Sequence, residues 1–197
     1  MIEEVSLISK KKKGLRQEML ALRRALSSEK AVCMEKALFS NVISLPEYDK
    51  AKRIMAFLSM KGEAGLDAFI EYALSQGKEI YIPVCLPGRR MEAGRLFDME
   101  HFDKGPLGLR NLLPGYQAVR PKDLDLVLVP ALACGMDGTR LGMGAGYYDR
   151  YLPNIPYEKR IAVLWDFQVF SSVPSEKYDE KISKIVTESR IIDSKRG

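Results

Sequence analysis

The sequence predicts a single α/β domain built on a mostly parallel β-sheet. Short apolar runs suited to buried strands alternate along the chain with amphipathic helical segments, which is the pattern of parallel α/β sheets. The strongest apolar run has no polar face, as expected for a strand that is covered on both sides. With 197 residues, of which 46% are hydrophobic, the chain is long enough for one sizeable core.

Three helices are predicted from apolar residues that recur every three or four positions. The first extends from about Lys10 to Leu26, where the apolar steps are four, three and four. Ser27 or Ser28 is expected to cap the second helix, which Pro46 ends. The third has the same periodicity further along the chain, and Gly77 is expected to terminate it.

Five apolar segments predict the strands of the sheet. They are RIMAFLS (53–59), KEIYIPV (78–84), LDLVLVPAL (124–132), RIAVLWDF (160–167) and IVTESRII (185–192). Between residues 85 and 121 the periodicity breaks down among prolines and glycines, and only RLFDME (95–100) is considered there as a short strand.

Composition favours a cytoplasmic protein with anionic ligands. The formal net charge of +5 favours anionic partners, which include nucleic acid and phosphorylated or polycarboxylate small molecules. No apolar run approaches membrane-spanning length, and the N-terminal residues do not resemble a signal peptide. Three widely spaced cysteines and one histidine argue against a disulfide framework or a zinc site. A divalent metal would therefore be bound by carboxylates, which suits magnesium.

The segment GTRLGMGAGYYDRYL (138–152) is the main candidate for a functional site. It follows the strongest predicted strand, and open α/β sheets bind ligands beyond the carboxyl ends of their strands. Glycines at positions 142, 144 and 146 can bring backbone amides close to an anion, and a helix starting near Gly146 would add its dipole. Arg140 can bind a phosphate, and Asp149 a metal that bridges phosphate oxygens. The alternative is a tight turn whose glycines serve packing and whose tyrosines lie in the core.

The same segment resembles the signature of the 5-formyltetrahydrofolate cyclo-ligase family, also called methenyltetrahydrofolate synthetase, in which G-x-R-L-G-x-G-x-G-Y-Y-D recurs. Four further segments are similar to family segments in the same order. They are a helix with Lys12, Leu15 and Arg16, a strand and loop ending in Glu63, the strand VPALA, and a C-terminal segment with Asp179. The resemblance implies one domain over residues 1–197, a three-layer sandwich with a Rossmann-like central sheet. Its N-terminal helix, about residues 10–26, contributes to the ATP site.

The resemblance also implies an activity and a set of site residues. The family uses ATP and magnesium to convert 5-formyltetrahydrofolate into 5,10-methenyltetrahydrofolate, ADP and phosphate. The residues implied for ATP binding are Lys12, Lys13, Arg16, Arg140, Leu141, Gly142, Met143, Gly144, Ala145, Gly146, Tyr147 and Tyr148. Those implied for folate binding are Leu58, Glu63, Met143, Gly144, Ala145, Gly146 and Tyr147. The implied magnesium ligands are Asp149 and Asp179, and the implied catalytic residues are Arg140, Tyr147 and Asp149.

The residue types suit this chemistry. A formamide oxygen is a poor leaving group, and its phosphorylation allows N10 to attack and close the ring before phosphate departs. Such a transfer needs positioning and charge neutralisation more than a protein nucleophile. Glu63 is expected to hydrogen-bond the pterin edge and Tyr147 to help enclose the substrate. The alternative for Glu63 is a solvated loop carboxylate.

The chain departs from the family pattern at a few positions. Cys134 and Gly135 stand where Phe-Asp is usual, Tyr178 stands where histidine is common, and Ser183 occupies an acidic position. AGLD follows Glu63 in place of an acidic-threonine pair. Cys134 is expected to be a packing residue, because nothing in the sequence places a base beside it.

Two other functions stay open at this point. One is a nucleotide- or folate-binding protein on the same scaffold that has lost efficient turnover, and the other is a nucleic-acid-binding protein that uses Lys10 to Lys13. The run itself could also be a solvated helix end. For the enzyme, we expect a monomer that acts on folate with or without a polyglutamate tail and has neither nucleic acid nor membrane as a partner.

Overall fold

Helices and strands alternate in the computed structural model, which describes residues 2–104 and 110–194. The helices are α1 (Ile2–Ala25), α2 (Ser28–Ile43), α3 (Pro46–Lys50), α4 (Asp67–Ser75) and α5 (Tyr147–Tyr151). The strands are β1 (Arg53–Met55), β2 (Glu79–Leu86), β3 (Arg90–Leu96), β4 (Asp103–Lys104), β5 (Arg110–Asn111), β6 (Ala118–Val119), β7 (Leu126–Pro130), β8 (Ala133–Gly135), β9 (Arg140–Leu141), β10 (Arg160–Val163), β11 (Val169–Phe170), β12 (Lys184–Val186) and β13 (Ile191–Asp193). The remaining positions of the predicted domain, 1, 105–109 and 195–197, lie outside the described residues.

Eight strands form the central sheet, in the order β13-β12-β10-β7-β1-β2-β3-β6. The strands from β12 to β2 run parallel, whereas β13, β3 and β6 join antiparallel at the edges. The predicted mostly parallel sheet is confirmed. From β1 the chain adds β2 on one side, and from β7 it adds β10 and β12 on the other, so the strand order reverses between β1 and β7. Open α/β sheets bind ligands in the crevice outside the carboxyl ends of two such strands, which we call the switch-point crevice.

Both faces of the sheet are covered, which explains the continuous apolar strand patterns. Successive side chains of a strand point to opposite faces. In β7, residues 126 and 128 therefore belong to one core cluster and residues 127 and 129 to another. Helices α2, α3 and α4 supply the first cluster, whereas α5 and irregular segments supply the second. The predicted three-layer arrangement is confirmed. A three-stranded sheet, β11-β8-β9, lies beyond the carboxyl end of β7.

The three predicted helices correspond to α1, α2 and α4, with different ends, whereas the short helix α3, which begins at Pro46, is not predicted. Helix α1 begins at Ile2 rather than near Lys10, so the lysine run lies inside the helix and not at its end. Ser27 caps α2, and its side chain accepts a hydrogen bond from the backbone N–H of Lys30 at 3.3 Å. Helix α4 ends before Gly77, which has a φ of 74°. In the described ranges no helix is both long and apolar enough to cross a membrane.

The sheet edges differ most from the prediction. Residues 185–192, expected as one strand, form β12 and β13, which pair antiparallel around a tight turn. The unpatterned stretch after residue 85 contains β3, which pairs along the whole length of β2. Strand β2 continues through Pro83 to Leu86, because β1 flanks it only as far as Tyr81 and a proline is tolerated where one side is open. Residues 105–109 of this stretch lie outside the described residues.

Candidate active site

Three segments meet at the switch-point crevice. The loop after β1 contains Leu58 and Glu63, and the chain after β7 forms β8, β9 and the glycine-rich loop at residues 142–146. Helix α1 contacts both: Arg23 donates to Glu63 and to the backbone carbonyl of Ala131, which directly follows β7. The fold therefore brings together predicted site residues that are more than 100 positions apart in sequence, with separations of 126 for Arg16–Gly142 and 167 for Lys12–Asp179.

The glycine-rich loop connects β9 to α5 and exposes its central residues, 143–145. Gly144 has a φ of 100°, a conformation that favours glycine, and a Cβ there would lie 3.3 Å from the guanidinium carbon of Arg16. Arg16 Nε donates to the Gly142 carbonyl at 2.9 Å. Leu141, before the loop, is buried in β9. Helix α1 thus lies directly against the loop, as expected for two parts of one binding site.

Helix α5 begins at Tyr147 after Gly146, as predicted, but it has only five residues. The contribution of its dipole is therefore confined to a single turn. Tyr151 is buried in the core, and the phenol oxygen of Tyr148 is buried without a hydrogen-bond partner among the described residues. Burial raises the pKa of both phenols. For these two side chains the alternative holds, since both pack in the core rather than facing a ligand. Tyr147 is half-buried.

Arg140 points inward rather than toward the loop surface. Its side chain is 2% exposed, and Nη2 donates to Asp149 Oδ1 at 2.5 Å. Nη1 donates to the Pro130 carbonyl at 3.3 Å, and the guanidinium lies 5.7 Å from the ring centre of Tyr148. The structure thus differs from the expected free guanidinium, because a buried cation requires a carboxylate partner and α5 supplies Asp149.

Lys12 is buried between two carboxylates, although its neighbours Lys11 and Lys13 are exposed. Its Nζ lies 2.5 Å from Asp179 Oδ2 and 2.7 Å from Glu176 Oε2. Burial lowers the pKa of Lys12, but hydrogen bonds and attraction to the two carboxylates outweigh this effect and raise it above its usual value. Lys12 and Asp179, which the resemblance assigns to phosphate and to magnesium, therefore contact each other.

Glu63 lies in a buried ion pair. Its side chain is 8% exposed; Oε1 accepts from Arg23 Nη1 at 3.0 Å and Oε2 accepts from the backbone N–H of Met60 at 3.0 Å. The alternative of a solvated loop carboxylate is wrong. Leu58 is half-buried and packs against the core. A cavity of about 280 Å³ borders this loop, with Glu35, Phe39, Lys61, Glu63 and Arg110 among its lining residues.

The carboxylates at the crevice have the donor chemistry that magnesium prefers. Asp149 is 31% exposed and Asp179 is 20% exposed, and only one oxygen of each is hydrogen-bonded to a described residue. In the described ranges, no group of three or more histidine, cysteine, aspartate or glutamate side chains could hold a metal ion. A magnesium ion here would therefore need oxygens from phosphate and water, as is usual at nucleotide sites. The residues fit such a partial site.

Three other residues considered from the sequence, Cys134, His101 and Ser183, have no role in the proposed binding of phosphate or metal. Cys134 is fully buried in β8, where burial raises the pKa of its thiol to about 12, as expected for a packing residue. His101 is exposed, and its Nδ1 lies 3.0 Å from Asp98. Ser183, at the position that is acidic in the family, donates to the backbone carbonyl of Arg160.

Comparison with known proteins identifies the family. The model of the 5-formyltetrahydrofolate cyclo-ligase family matches residues 8–188. The chain belongs to this family. The 5-formyltetrahydrofolate cyclo-ligase of Mus musculus is 32% identical over 193 residues, which cover 92% of this chain and 95% of the mouse protein. That of Escherichia coli K12 is 29% identical over 177 residues, covering 86% of this chain and 96% of the bacterial protein.

Solved structures agree with this assignment. The 5,10-methenyltetrahydrofolate synthetase of Aquifex aeolicus superposes with a TM-score of 0.82 at 32% identity and covers 94% of each chain. The synthetase of Mycoplasma pneumoniae superposes with a TM-score of 0.74 over 90% of this chain and 98% of its own, and at 21% identity it supports the fold. The predicted family is confirmed, and the predicted activity, the ATP-dependent cyclisation of 5-formyltetrahydrofolate to 5,10-methenyltetrahydrofolate, is that of the cyclo-ligases.

Sequence patterns do not single out two charged residues of the crevice, Arg23 and Glu176. Arg23 continues the spacing of Lys12, Arg16 and Met19 at steps of four, three and four, which places it on the same helix face. That spacing is the signal that could have found it. A basic pair in the last turn of a helix ordinarily indicates a solvated end, which hides the signal.

Proposed function

We propose that the switch-point crevice binds MgATP and 5-formyltetrahydrofolate side by side, so that the γ-phosphate is transferred directly to the formyl oxygen. The observation that carries this proposal is the meeting of α1 with two elements of the crevice. Arg16 reaches the glycine-rich loop on one side, and seven residues further along the same helix Arg23 reaches Glu63 on the other.

The ATP side consists of cations and backbone amides. Lys12, Lys13 and Arg16 supply positive charge from α1, and residues 141–148 supply backbone amides that approach the phosphates. Tyr148 contributes through its backbone, since its phenol is buried. Arg140 supports the site from below by orienting Asp149, and this contact also keeps a positive charge close to the phosphates.

Asp149 and Asp179 hold the magnesium ion in this proposal. When bound, the ion neutralises charge on the phosphate oxygens, which phosphoryl transfer requires. Arg140 and Lys12 lie on the buried side of these two carboxylates, and each forms an ion pair with one of them. The partly exposed oxygens are then free to act as ligands.

The folate side consists of Leu58, Glu63, residues 143–146 and Tyr147. Each carboxylate oxygen can accept more than one hydrogen bond, so Glu63 retains acceptor capacity for the N–H groups of the pterin edge. The exposed surface of Met143 and the half-buried ring of Tyr147 supply apolar contacts. This arrangement orients the formyl group toward the loop.

The reaction then needs no protein nucleophile. The formyl oxygen attacks the γ-phosphorus and ADP leaves; N10 attacks the activated formyl carbon and loses its proton; phosphate departs with the former formyl oxygen. The protein contributes by holding the reacting atoms in line and by neutralising charge, which can account for most of the rate. The buried thiol of Cys134 has no part in this sequence of steps.

Incubation of the purified protein with 5-formyltetrahydrofolate and MgATP tests the proposal. The expected result is growth of the near-ultraviolet absorbance of methenyltetrahydrofolate, with one ADP released for each product formed. Binding of both ligands without growth of absorbance would instead favour the binding protein that has lost turnover. The nucleic-acid alternative has less support, because two carboxylates already pair with Lys12, a member of its basic run.

A further inference from the structure

Arg23 spans the switch-point crevice. Its Nη1 donates to Glu63 Oε1 at 3.0 Å, in the loop after β1, and its Nη2 donates to the Ala131 carbonyl at 2.5 Å, directly after β7. The side chain is 5% exposed. Its Nε is buried without a partner among the described residues, so two of the five guanidinium N–H groups carry the contact. One arginine thus joins the two segments that follow the strands between which the strand order reverses.

The turn that carries Glu63 contacts both the backbone of Arg23 and the side chain of Trp165. The backbone N–H of Glu63 donates to the Met60 carbonyl at 2.9 Å. Gly62 has a φ of 83°, and a Cβ there would lie 3.0 Å from the backbone oxygen of Arg23. The indole N–H of Trp165 also donates to this turn, at the Gly62 carbonyl, with a distance of 3.1 Å. The position of Glu63 therefore follows the position of the last turn of α1.

The same helix carries the ATP-side residues on the same stripe. Lys12, Arg16, Met19 and Arg23 follow one another at steps of four, three and four. Met19 is buried against Leu132 and the β8–β9 region between the two charged ends. Most other positions of α1 are exposed, so this stripe attaches the helix to the sheet. From Lys12 to Arg23 the helix rises by about 16 Å, which spans both sides of the crevice.

We propose that Arg23 is a positioning residue for the folate site and that α1, through it, couples folate binding to ATP binding. The inference rests on the proposed function, in which Glu63 contacts the folate and Lys12 and Arg16 contact the phosphates. A phosphate that draws Lys12 and Arg16 toward the glycine-rich loop shifts the helix as a unit, and Arg23 transmits that shift to Glu63. Because linkage is reciprocal, folate raises the affinity for ATP by the same factor as ATP raises the affinity for folate.

Arginine is required at this position because the two acceptors lie on different segments. A planar guanidinium can donate to both, whereas a lysine ammonium is a point charge on a flexible stem and keeps the charge without the fixed geometry. Arg23→Lys therefore separates positioning from charge. Arg24, the next residue, is exposed, so Arg24→Lys is a matched control for the same substitution in the same helical turn.

Calorimetric titration of the full chain tests the inference with 5-formyltetrahydrofolate and a non-hydrolysable ATP analogue with Mg²⁺, each alone and in the presence of the other. In the wild type, each ligand is expected to lower the Kd of the other by at least about fivefold. In Arg23→Lys, the Kd for folate rises by about tenfold, the Kd for the analogue alone changes by less than about twofold, and the mutual tightening falls to near one. Arg24→Lys behaves as the wild type.

Trp165 provides a second readout, since it is the single tryptophan of the chain and donates to the turn that carries Glu63. Its emission is expected to change on addition of the ATP analogue alone in the wild type and in Arg24→Lys, and not in Arg23→Lys. Thermal denaturation of each variant verifies that it is folded at the temperature of titration. If Arg23 had a purely structural role, Arg23→Lys would raise the Kd of both ligands alike and leave their coupling intact. That result overturns the inference.

Glu63→Gln distinguishes failure of the inference from failure of the proposed function. Weaker folate binding in Glu63→Gln together with wild-type coupling in Arg23→Lys overturns the inference and leaves the proposed function standing. Unchanged folate binding in Glu63→Gln overturns the role of Glu63 in the proposed function.

Discussion

Two buried arginines at the crevice are paired with carboxylates in different ways. Arg23 and Glu63 are both buried, and both oxygens of Glu63 accept hydrogen bonds from the protein. Arg140 is equally buried, but its partner Asp149 is partly exposed and uses one oxygen. The first pair is closed and fixes a turn, whereas the second leaves a carboxylate oxygen available. The Lys12–Asp179 pair resembles the second. This difference separates residues that set geometry from residues that can bind a metal.

The largest expected effect on activity comes from the Arg140–Asp149 pair, which we call the open pair because one carboxylate oxygen is available. Asp149→Asn retains an oxygen that can accept from Arg140 but removes the charge proposed to bind magnesium. We expect kcat to fall by about 10³-fold, comparable with loss of a principal electrostatic group in an active site. Product absorbance measures the rate, and circular dichroism measures the fold. Near-normal turnover would contradict the metal role of Asp149, and Asp98→Asn, at the exposed pair with His101, is the control.

Substitutions in the closed pair, Arg23–Glu63, are expected to change the free energy of unfolding. Arg23→Met leaves the Glu63 carboxylate buried without its cation and should lower the free energy of unfolding by about 3 kcal/mol. Arg23→Met combined with Glu63→Gln removes the unpaired charge and should restore much of that loss. Urea denaturation of the two single variants and the double variant measures the coupling between them. Additive losses would show that the pair is not closed in the sense described above.

Arg16 lies on α1 between Lys12 and Arg23, and its substitution should affect the binding of one substrate. Arg16→Gln removes the cation that donates to the Gly142 carbonyl and is proposed to face the phosphates. We expect the KM for ATP to rise by about tenfold, as for loss of one charge-assisted hydrogen bond, with little change in the KM for folate. Steady-state kinetics with each substrate varied in turn gives both constants. An equal rise in both KM values would show that Arg16 stabilises the whole crevice rather than binding ATP.

Glu176 competes for the same lysine as the phosphates and is expected to oppose their binding. Its Oε2 lies 2.7 Å from Lys12 Nζ and its side chain is partly exposed. Glu176→Gln should therefore lower the Kd for ATP by about threefold, since the partly exposed carboxylate that competes for Lys12 loses its charge. Titration with the ATP analogue measures the change, and Glu180→Gln, whose carboxylate pairs with Arg160, is the control. Weaker binding in Glu176→Gln would show that Glu176 assists the site.

The smallest effect is a pH dependence of stability. Because the folded pKa of Lys12 is raised above its usual value of 10.5, its contribution is complete below that pH and is lost as the pH rises through the folded pKa. As the pH rises above about 10.5, the wild type should lose more stability than Lys12→Met. Urea denaturation across this range measures the difference. Parallel profiles would mean that the two carboxylates do not hold the lysine charged.

The sequence predicts the centre of the sheet well and its edges poorly. The apolar run of residues 126–130 allows one interpretation, because a strand covered on both faces must be apolar at every position. In strand β3, exposed Arg90 and Glu92 alternate with buried residues, but Gly94 interrupts this short pattern and a proline and a glycine lie shortly before the strand, so the sequence resembles a loop. Pro83 adds to this, since a proline ordinarily indicates the end of a strand.

In the site, the sequence predicts which residues meet but not which way they face. The glycine spacing at residues 142–146 indicates close backbone approach, and Gly144 with its positive φ agrees. The burial of Lys12 and Arg140 could not be predicted, because it depends on carboxylates at Asp179 and Asp149 that reach them only in the folded chain. Long cationic side chains can bury their aliphatic stems, and the direction of the charged group then depends on where a partner lies.

The attachment of α1 also determines when the active site forms during folding. The partners of the helix lie far along the chain, 108 residues away for Arg23 and Ala131 and 167 for Lys12 and Asp179. Contacts of such separation form late, because a long loop must close before any of them contributes. The parallel strands can pair before α1 docks. We therefore expect a nascent chain to pair its central strands β1, β2, β7 and β10 first and to become able to bind nucleotide only after residue 179 has left the ribosome.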